Sequence, residues 1–251
     1  MTYDPADALA AIDHNLVVIL SFFSITAIAT FTYLIESFRL VRRDKAFSAA
    51  LPAVGWFAVH DLGFVLQYDT WFHVYDHWWV KTWWVLLIAT SVIEFILVSM
   101  VVRYGWRELA PNLTKTAFSV GVCGIVAGIA VLWWLVKQSM DDPLYLISFP
   151  ITAFWAVPFS TAIFLRRGNR GGQSILQDPC VAAIVLGFQG ALWHVDPFFR
   201  SVPFVVFTAM AVTWSLANVW LLRQVPPWDG RAYTEPRSTE SPMAASTAAT
   251  P

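Results

Sequence analysis

Long apolar stretches separated by short polar loops dominate the hydrophobic pattern of this chain. A helix that crosses a membrane needs about 20 mostly apolar residues, because each residue rises about 1.5 Å across a hydrocarbon core of about 30 Å. Seven stretches come close to this length, and the sixth is the shortest. They are residues 16–36, 48–68, 82–102, 116–136, 144–165, 179–193 and 202–222. The pattern therefore predicts an all-α fold, a polytopic membrane bundle of seven transmembrane helices.

The basic residues alternate between the two sides of these stretches. Thirteen Lys and Arg residues follow the first, third, fifth and seventh stretches, and three (Lys81, Lys137 and Arg200) fall on the other side. Cytoplasmic loops of membrane proteins carry an excess of Lys and Arg. The sequence therefore predicts a multi-pass protein of the cell membrane with its N-terminus outside and its C-terminus in the cytoplasm.

Composition supports a membrane protein and excludes several other classes. Hydrophobic residues make up 57% of the chain and charged residues only 13%, far from the balance of a soluble domain. A net charge of −1 offers no attraction for nucleic acid. Cys123 and Cys180 lack the spacing of a thiolate metal site or a disulfide framework, and we expect both to be core residues.

The two ends of the chain differ in kind. Residues 1–15 are acidic and lack the basic region of a cleaved signal peptide, so we expect the first apolar stretch to remain as a membrane helix. Residues 226–251 are rich in Pro, Ser, Thr and Ala and have little apolar surface to bury. We therefore predict a transmembrane domain over residues 1–225 and a disordered cytoplasmic tail over residues 226–251.

Three ionisable residues lie within predicted membrane helices, where burying a charge is costly. His60 and Asp61 fall in the outer half of the second helix, and Glu94 lies near the middle of the third, on one face with Thr90 and Ser91. Such residues usually face the bundle interior or a cavity and mark functional sites. The alternative is that they only form hydrogen bonds between helices.

The stretch from Asp69 to Trp79 combines histidines, aspartates and tryptophans. If Asp69 to His77 is helical, then Asp69, His73 and His77 share one face and the tryptophans lie largely on the other. We expect an interfacial helix anchored by a tryptophan belt at the membrane surface, with an aromatic cavity for an apolar ligand as the alternative. The same His/Asp face gives a second, weaker alternative, a divalent-metal site of Asp69, His73 and His77.

Familiar catalytic and cofactor motifs are missing from the sequence. No HExxH, GxSxG, P-loop, GxGxxG or aspartate-rich diphosphate motif occurs, and the last predicted helix contains no lysine for a retinal Schiff base. The sequence therefore predicts no cofactor. All five histidines fall at or near the predicted outer side, including His194, which is followed by Asp196.

Three sequence features resemble the integral-membrane terpene cyclases of fungal and actinobacterial meroterpenoid pathways. They are seven predicted helices in about 250 residues, the acid in FAVHDLGFVLQY of the second helix, and a third helix that begins with WW and ends in RYGWREL. The resemblance implies that Asp61 protonates an epoxide or olefin of a prenylated substrate. That family has a second acid in its last helix. Here FTAMAVTWSLANVW offers only Asn218 and Ser215, so Glu94 or Asp196 would replace it.

These observations favour an enzyme that performs acid-base chemistry on an apolar isoprenoid, either cyclisation or isomerisation. The candidate catalytic residues are Asp61, His60, Glu94, His194 and Asp196. The expected partners are a lipophilic small-molecule substrate and the lipid bilayer, and the sequence leaves the oligomeric state open. Two alternatives are a proton-coupled transporter, in which His60, Asp61 and Glu94 form a relay, and an accessory membrane subunit.

Overall fold

A computed structural model describes residues 3–230, and within this range all regular structure is helical. The α-helices are α1 (Pro5–His14), α2 (Leu16–Asp44), α3 (Leu51–Val65), α4 (Trp78–Leu109), α5 (Lys115–Ser139), α6 (Ser148–Phe154), α7 (Ala156–Arg167), α8 (Gln177–Leu192) and α9 (Val202–Gln224). A π-helical turn (Thr70–Val74) and a 3-10 helix (Pro197–Arg200) complete the order. The all-α prediction is confirmed.

Five helical segments within residues 3–230 are long and apolar enough to cross a membrane. They are α2, α4, α5, α9 and the nearly continuous pair α6–α7. The second and sixth predicted helices are shorter, because α3 has 15 residues and α8 has 16. At 1.5 Å per residue they are about 22 and 24 Å long. The five long apolar helices thus support the description of the chain as a membrane protein. The number of seven spans and their orientation stay predictions.

One end of the bundle, the arginine end, gathers the loops after α2, α4, α7 and α9. The Arg167 guanidinium bonds both carboxylate oxygens of Glu108, at 2.9 and 3.1 Å, and donates to the Phe47 carbonyl at 2.9 Å. The Arg170 amide donates to the Pro226 carbonyl at 3.1 Å. Pro226 to Gly230 thus belong to the described part of the predicted tail, and residues 231–251 lie outside it.

The opposite end, the histidine end, gathers α1 with the loops around residues 69–78, 140–147 and 193–201. The Tyr3 hydroxyl donates to Asp142 at 2.6 Å, and the Trp78 indole donates to Asp13 at 2.8 Å. The loops that the sequence assigned to opposite sides of a membrane therefore lie at opposite ends of the bundle. Between the ends, α2 packs most extensively against α8, and α3 packs most extensively against α4.

The predicted interfacial helix is wrong in its geometry. The π-helical turn ends at Val74, and Asp76 has a φ of 48°, a left-handed conformation that interrupts a helix. The chain therefore breaks before His77, which caps the start of α4. Trp71 and Trp79 are also buried in the core, with 0% and 2% of their surface exposed. They are packing residues rather than members of an exposed tryptophan belt.

The two cysteines differ in burial. Cys180 is buried as expected, whereas Cys123 on α5 is exposed. Helix α5 packs on one side of the bundle against α3 and α4, which leaves most of its apolar surface uncovered. In a helix that faces lipid, an apolar residue indicates no particular face, so the sequence pattern did not distinguish Cys123 from a core residue.

Candidate functional site

A mostly apolar cavity with two carboxyl groups in its wall lies inside the bundle. We call it the carboxylate cavity; its volume is about 80 Å³. The two carboxyl groups belong to Asp61 on α3 and Glu94 on α4. The remaining wall is Ala27, Thr30, Phe31, Tyr33, Leu34, Phe57, Trp83, Leu86, Leu87, Thr90, Phe149, Thr152, Ala153, Ala156, Val181, Ile184 and Phe188.

Asp61 is held by side chains from its own helix and from α4. The Nδ1 atom of His60 lies 2.8 Å from Asp61 Oδ1, and the Thr90 hydroxyl donates to Asp61 Oδ2. Asp61 is 6% exposed. These two directional partners fix the orientation of the carboxyl group in the cavity wall.

His60 is buried completely and lies behind Asp61. Its Nε2 atom is 3.3 Å from the Ser148 hydroxyl on α6. The Ser148 hydroxyl also donates to the Tyr145 carbonyl at 3.2 Å. When Asp61 is protonated, Nδ1 accepts from its carboxyl group and Nε2–H donates to Ser148, so one neutral tautomer satisfies both ring nitrogens. The rings of Trp133, Phe149 and Tyr145 surround the imidazole, with centroids 4.9, 4.9 and 5.5 Å away. This packing fixes the ring and therefore the direction of its bond to Asp61.

Glu94 lies one turn beyond Thr90 on the same face of α4. It is 4% exposed, and its Oε2 atom has no hydrogen-bond partner among the described residues. A charged carboxylate buried without a partner is costly, whereas a protonated carboxyl group costs much less. The cavity therefore combines an acid with fixed partners, Asp61, and an acid with a free oxygen, Glu94.

Aromatic rings form the wall near the carboxyl groups. Phe149 and Phe188 are stacked with centroids 5.7 Å apart, and Trp83 lies 5.1 Å from Phe149. Trp83 is 8% exposed, so it lines the cavity instead of anchoring the protein at a surface. The faces of such rings attract a cation at about 0.5–2 kcal/mol each. Trp83 therefore belongs to an aromatic cavity wall, as the alternative prediction had it, and the apolar ligand stays a prediction.

The structure places His194 and Asp196 away from the carboxylate cavity. Asp196 caps the 3-10 helix, because its carboxylate accepts from the Phe198 amide at 2.7 Å. The His194 carbonyl lies within 3.4 Å of the Asn15 side-chain amide at the histidine end. Of the five candidate catalytic residues, the structure brings together Asp61, His60 and Glu94 and leaves these two out.

The alternative metal site is not assembled. His73 lies 3.9 Å from Asp69, but His77 lies on the other side of the break at Asp76 and faces Asp13 at 3.3 Å. Between Tyr3 and Gly230, no group of three or more His, Cys, Asp or Glu side chains is placed to hold a metal ion. The face that we expected from a continuous helix therefore does not form.

Asp178, at the start of α8, is a further buried acid that the sequence pattern did not indicate. It is 2% exposed, and the Asn218 side-chain amide on α9 donates to it at 3.0 Å. The Ser160 hydroxyl lies 3.3 Å from its other oxygen. The sequence marked Asn218 as the polar residue of the last helix, but nothing in the sequence indicated its partner. The pairing depends on how α8 and α9 pack.

Comparison of the chain with protein-family models, with curated proteins and with solved structures finds no match. The resemblance to the membrane terpene cyclases therefore depends on the quoted residues of the sequence alone. The functional argument must come from the carboxylate cavity itself.

Proposed function

We propose that this protein is an integral membrane enzyme that performs acid-base chemistry, cyclisation or isomerisation, on an apolar isoprenoid substrate. The observation that carries the proposal is the presence of two buried carboxyl groups, Asp61 and Glu94, in the wall of one otherwise apolar cavity. Intramembrane acids that face a cavity are functional sites by default, and an apolar cavity with few convergent polar groups is the usual form of a ligand site.

In the proposed reaction Asp61 is the proton donor. His60 and Thr90 orient its carboxyl group, and Ser148 supports His60 from behind. A proton delivered to an olefin or epoxide creates positive charge on the substrate, which the faces of Trp83 and Phe149 stabilise. Glu94 then takes a proton from the cationic product or holds the second proton of the site, because its free oxygen faces no competing partner.

The apolar wall of the carboxylate cavity supports an apolar substrate. An ionic or strongly polar compound would lose its hydration in the carboxylate cavity without gaining partners beyond the two acids and a few hydroxyl groups. An isoprenoid chain gains from burial about 25 cal/mol for each Å² removed from water. The bilayer around the five long helices is also where such a substrate dissolves.

The arrangement of loops supports the proposal that α3 and α8 also cross the membrane, with the arginine end in the cytoplasm. Single cysteines at the two ends test this in a chain freed of Cys123 and Cys180. A membrane-impermeant maleimide should label Gln138→Cys in intact cells, whereas Asn112→Cys should be labelled only after permeabilisation. The reverse pattern would invert the orientation.

A pair of carboxylate-to-amide variants tests the enzymatic function. Membranes that contain the protein are incubated with a panel of prenylated aromatic compounds, their terminal epoxides and free polyprenols, and the extracts are analysed by mass spectrometry. Asp61→Asn should lower turnover by about 10²–10⁴-fold, the usual contribution of a general acid. Asp69→Asn is the matched control, because the Asp69 side chain is 94% exposed, and it should retain wild-type turnover.

Full activity of Asp61→Asn would contradict the proposed role of Asp61 as proton donor. Substrate-dependent proton flux into liposomes without any converted product would instead identify a proton-coupled transporter. An accessory subunit would show neither reaction nor flux, and it would keep its function in both Asp61→Asn and Glu94→Gln.

A further inference from the structure

Tyr33 on α2 lies in the walls of two neighbouring spaces. One is the carboxylate cavity, and the other is a small chamber toward the arginine end. Tyr33, Ala156 and Val181 belong to both walls, and of these three only Tyr33 has a hydroxyl group. Tyr33 is 8% exposed. Tyr33 is thus the one residue with a hydroxyl group that the two walls share, and this hydroxyl also bonds Ser37 one turn along α2.

Polar groups form a larger share of the chamber wall than of the wall of the carboxylate cavity. The polar wall residues of the chamber besides Tyr33 are Ser48, Ser160, Gln173, Gln177 and Asp178. The Ser48 hydroxyl is buried and has no partner among the described residues, although buried polar groups normally find one. The chamber volume is about 10 Å³, close to the space that one water molecule requires. One water in the chamber would satisfy Ser48 and bond Asp178.

Gln173 lies between the chamber and a groove at the protein surface. Its side chain lines the chamber and also this groove at the arginine end, together with Arg43, Arg170 and Ser174. The Arg43 side chain is 52% exposed, so the groove reaches the surface. The Gln173 amide accepts from Ser160 at 2.9 Å and donates to the Ser48 carbonyl at 2.5 Å. It is the only described residue shared by the walls of these two spaces.

The histidine side of the site is closed in a different way. The His60 ring is enclosed by Trp133, Tyr145 and Phe149. Beyond them Phe64 and Trp71 are stacked with centroids 4.2 Å apart, and both are 0% exposed. The stacked rings of Phe64 and Trp71 carry no hydroxyl group, and the Tyr145 hydroxyl is bonded by the Gln67 amide. We therefore expect little proton transfer toward that end.

We propose that Glu94 exchanges its proton with the arginine end through Tyr33, a water molecule in the chamber and the groove beyond Gln173. When Glu94 has lost its proton, the Tyr33 hydroxyl donates one to the Glu94 carboxylate and takes one from the chamber water. That water recovers its proton from water in the groove. One proton leaves the groove, Glu94 gains one, and Tyr33 and the chamber water end unchanged. Each of these steps is reversible, so the same path also releases to the arginine end a proton that Glu94 has taken from a product.

This inference deepens the proposed function, but its test needs no substrate. The protein is placed in proteoliposomes, and H₂O is replaced by D₂O. The carbonyl stretch of a protonated carboxyl group shifts when its proton is exchanged for deuterium, and infrared spectroscopy measures the rate of this exchange. Glu94→Gln assigns the band that belongs to Glu94. Tyr33→Phe should slow the exchange of this band by about tenfold or more, as when the barrier of a step rises by about 1.4 kcal/mol.

Tyr145→Phe is the matched control, because it removes a phenol on the histidine side of the same site. It should leave the exchange rate of Glu94 unchanged. Ser48→Val, which removes the partner of the chamber water, should slow exchange in the same direction as Tyr33→Phe. Circular dichroism and gel filtration confirm that each variant keeps its helices and its size.

Three results would overturn the path. They are an unchanged rate in Tyr33→Phe, a rate that falls in Tyr145→Phe instead, and a wild-type spectrum without a protonated band that Glu94→Gln removes. Failure of the proposed function is a separate outcome. If no compound of the panel is converted, or if Asp61→Asn keeps full activity, the proposed function fails. The effect of Tyr33→Phe on the exchange rate of Glu94 is measured without substrate and does not depend on that outcome.

Discussion

Asp61 and Glu94 line the same cavity, but Asp61 is bonded at both carboxyl oxygens, whereas Glu94 Oε2 has no partner among the described residues. Thr90, which donates to Asp61, lies one turn before Glu94 on α4, so one helix face serves both acids. This asymmetry separates their roles. A fixed acid can deliver a proton in one direction, whereas an acid with an unpartnered oxygen can accept a proton from the cavity or from Tyr33.

His60 should act as a positioning residue for Asp61. His60→Ala should lower kcat by about tenfold or more, less than the 10²–10⁴-fold loss expected for a general acid itself, with little change in KM. It should also move the pH profile of kcat, because Asp61 loses the partner that fixes its proton. The measurement is steady-state kinetics of turnover across the pH range.

The controls for His60 separate positioning from structure. His60→Gln keeps a hydrogen-bonding group near Asp61 and should restore part of kcat. His73→Ala removes an exposed imidazole, 67% exposed, and should behave like the wild type. An unaltered pH profile in His60→Ala would show that the imidazole serves packing alone.

Gly187 allows α8 to approach α2 closely, and Gly187→Ala should destabilise the bundle. A methyl group at this position would meet the Phe22 carbonyl at 2.9 Å and the Thr26 hydroxyl at a still shorter distance. The backbone of α2 would have to move, at a cost of about 1–3 kcal/mol. Thermal unfolding in detergent measures the change.

Gly124→Ala is the control for that substitution. Gly124 lies in the middle of α5, and an added methyl group there meets nothing within 4 Å. Alanine is a better helix former than glycine by about 1 kcal/mol, so this variant should be neutral or slightly more stable. Equal effects of the two substitutions would contradict the close packing of α2 and α8.

Arg167 should be the main polar link of the arginine end. Arg167→Met removes its bonds to Glu108, Phe47 and Gly171 and leaves Glu108 buried with one partner fewer. Removing one member of a buried ion pair costs about 3–5 kcal/mol. Arg166 also bonds Glu108 but is 46% exposed, so Arg166→Met should cost about 0–1 kcal/mol. Denaturation curves of both variants measure the two changes in the free energy of unfolding.

The contact between α1 and α4 should depend on pH through Asp13. The Trp78 indole, which donates to this carboxylate, and then His77 hold the pKa of Asp13 below its usual value of 3.8. A lowered pKa means that the folded state favours the ionised form. The stabilisation is therefore full above about pH 4 and is lost as the pH falls through the lowered pKa.

Asp13→Asn shows whether this stabilisation exists. Its melting temperature should lie below that of the wild type at neutral pH, and the difference should shrink below pH 3.8. Asp69→Asn, at an exposed position, should follow the wild type throughout. A difference that grows in acid would have the wrong sign and would reject the assignment.

The sequence by itself determined the all-α class and the approximate helices, and it indicated Asp61, His60 and Glu94 as candidate functional residues. A long apolar stretch predicts a helix well, because a backbone in lipid must form all its hydrogen bonds within the protein and a helix forms them within one segment. A charge in an apolar stretch is equally visible, because its burial is costly. Both signals are local, so they can be read without knowing which helices are neighbours.

Only the tertiary structure decided which residues face the cavity. Trp71, Trp79 and Trp83 are as apolar as lipid-facing residues, so hydropathy alone did not place them in the core. The pairing of Asp178 with Asn218 and the position of Tyr33 between two spaces depend on contacts between helices distant in sequence. The break at Asp76 likewise depends on a backbone conformation that no periodicity encodes. In a membrane bundle both the interior and the surroundings are apolar, so packing, rather than hydropathy, determines the site.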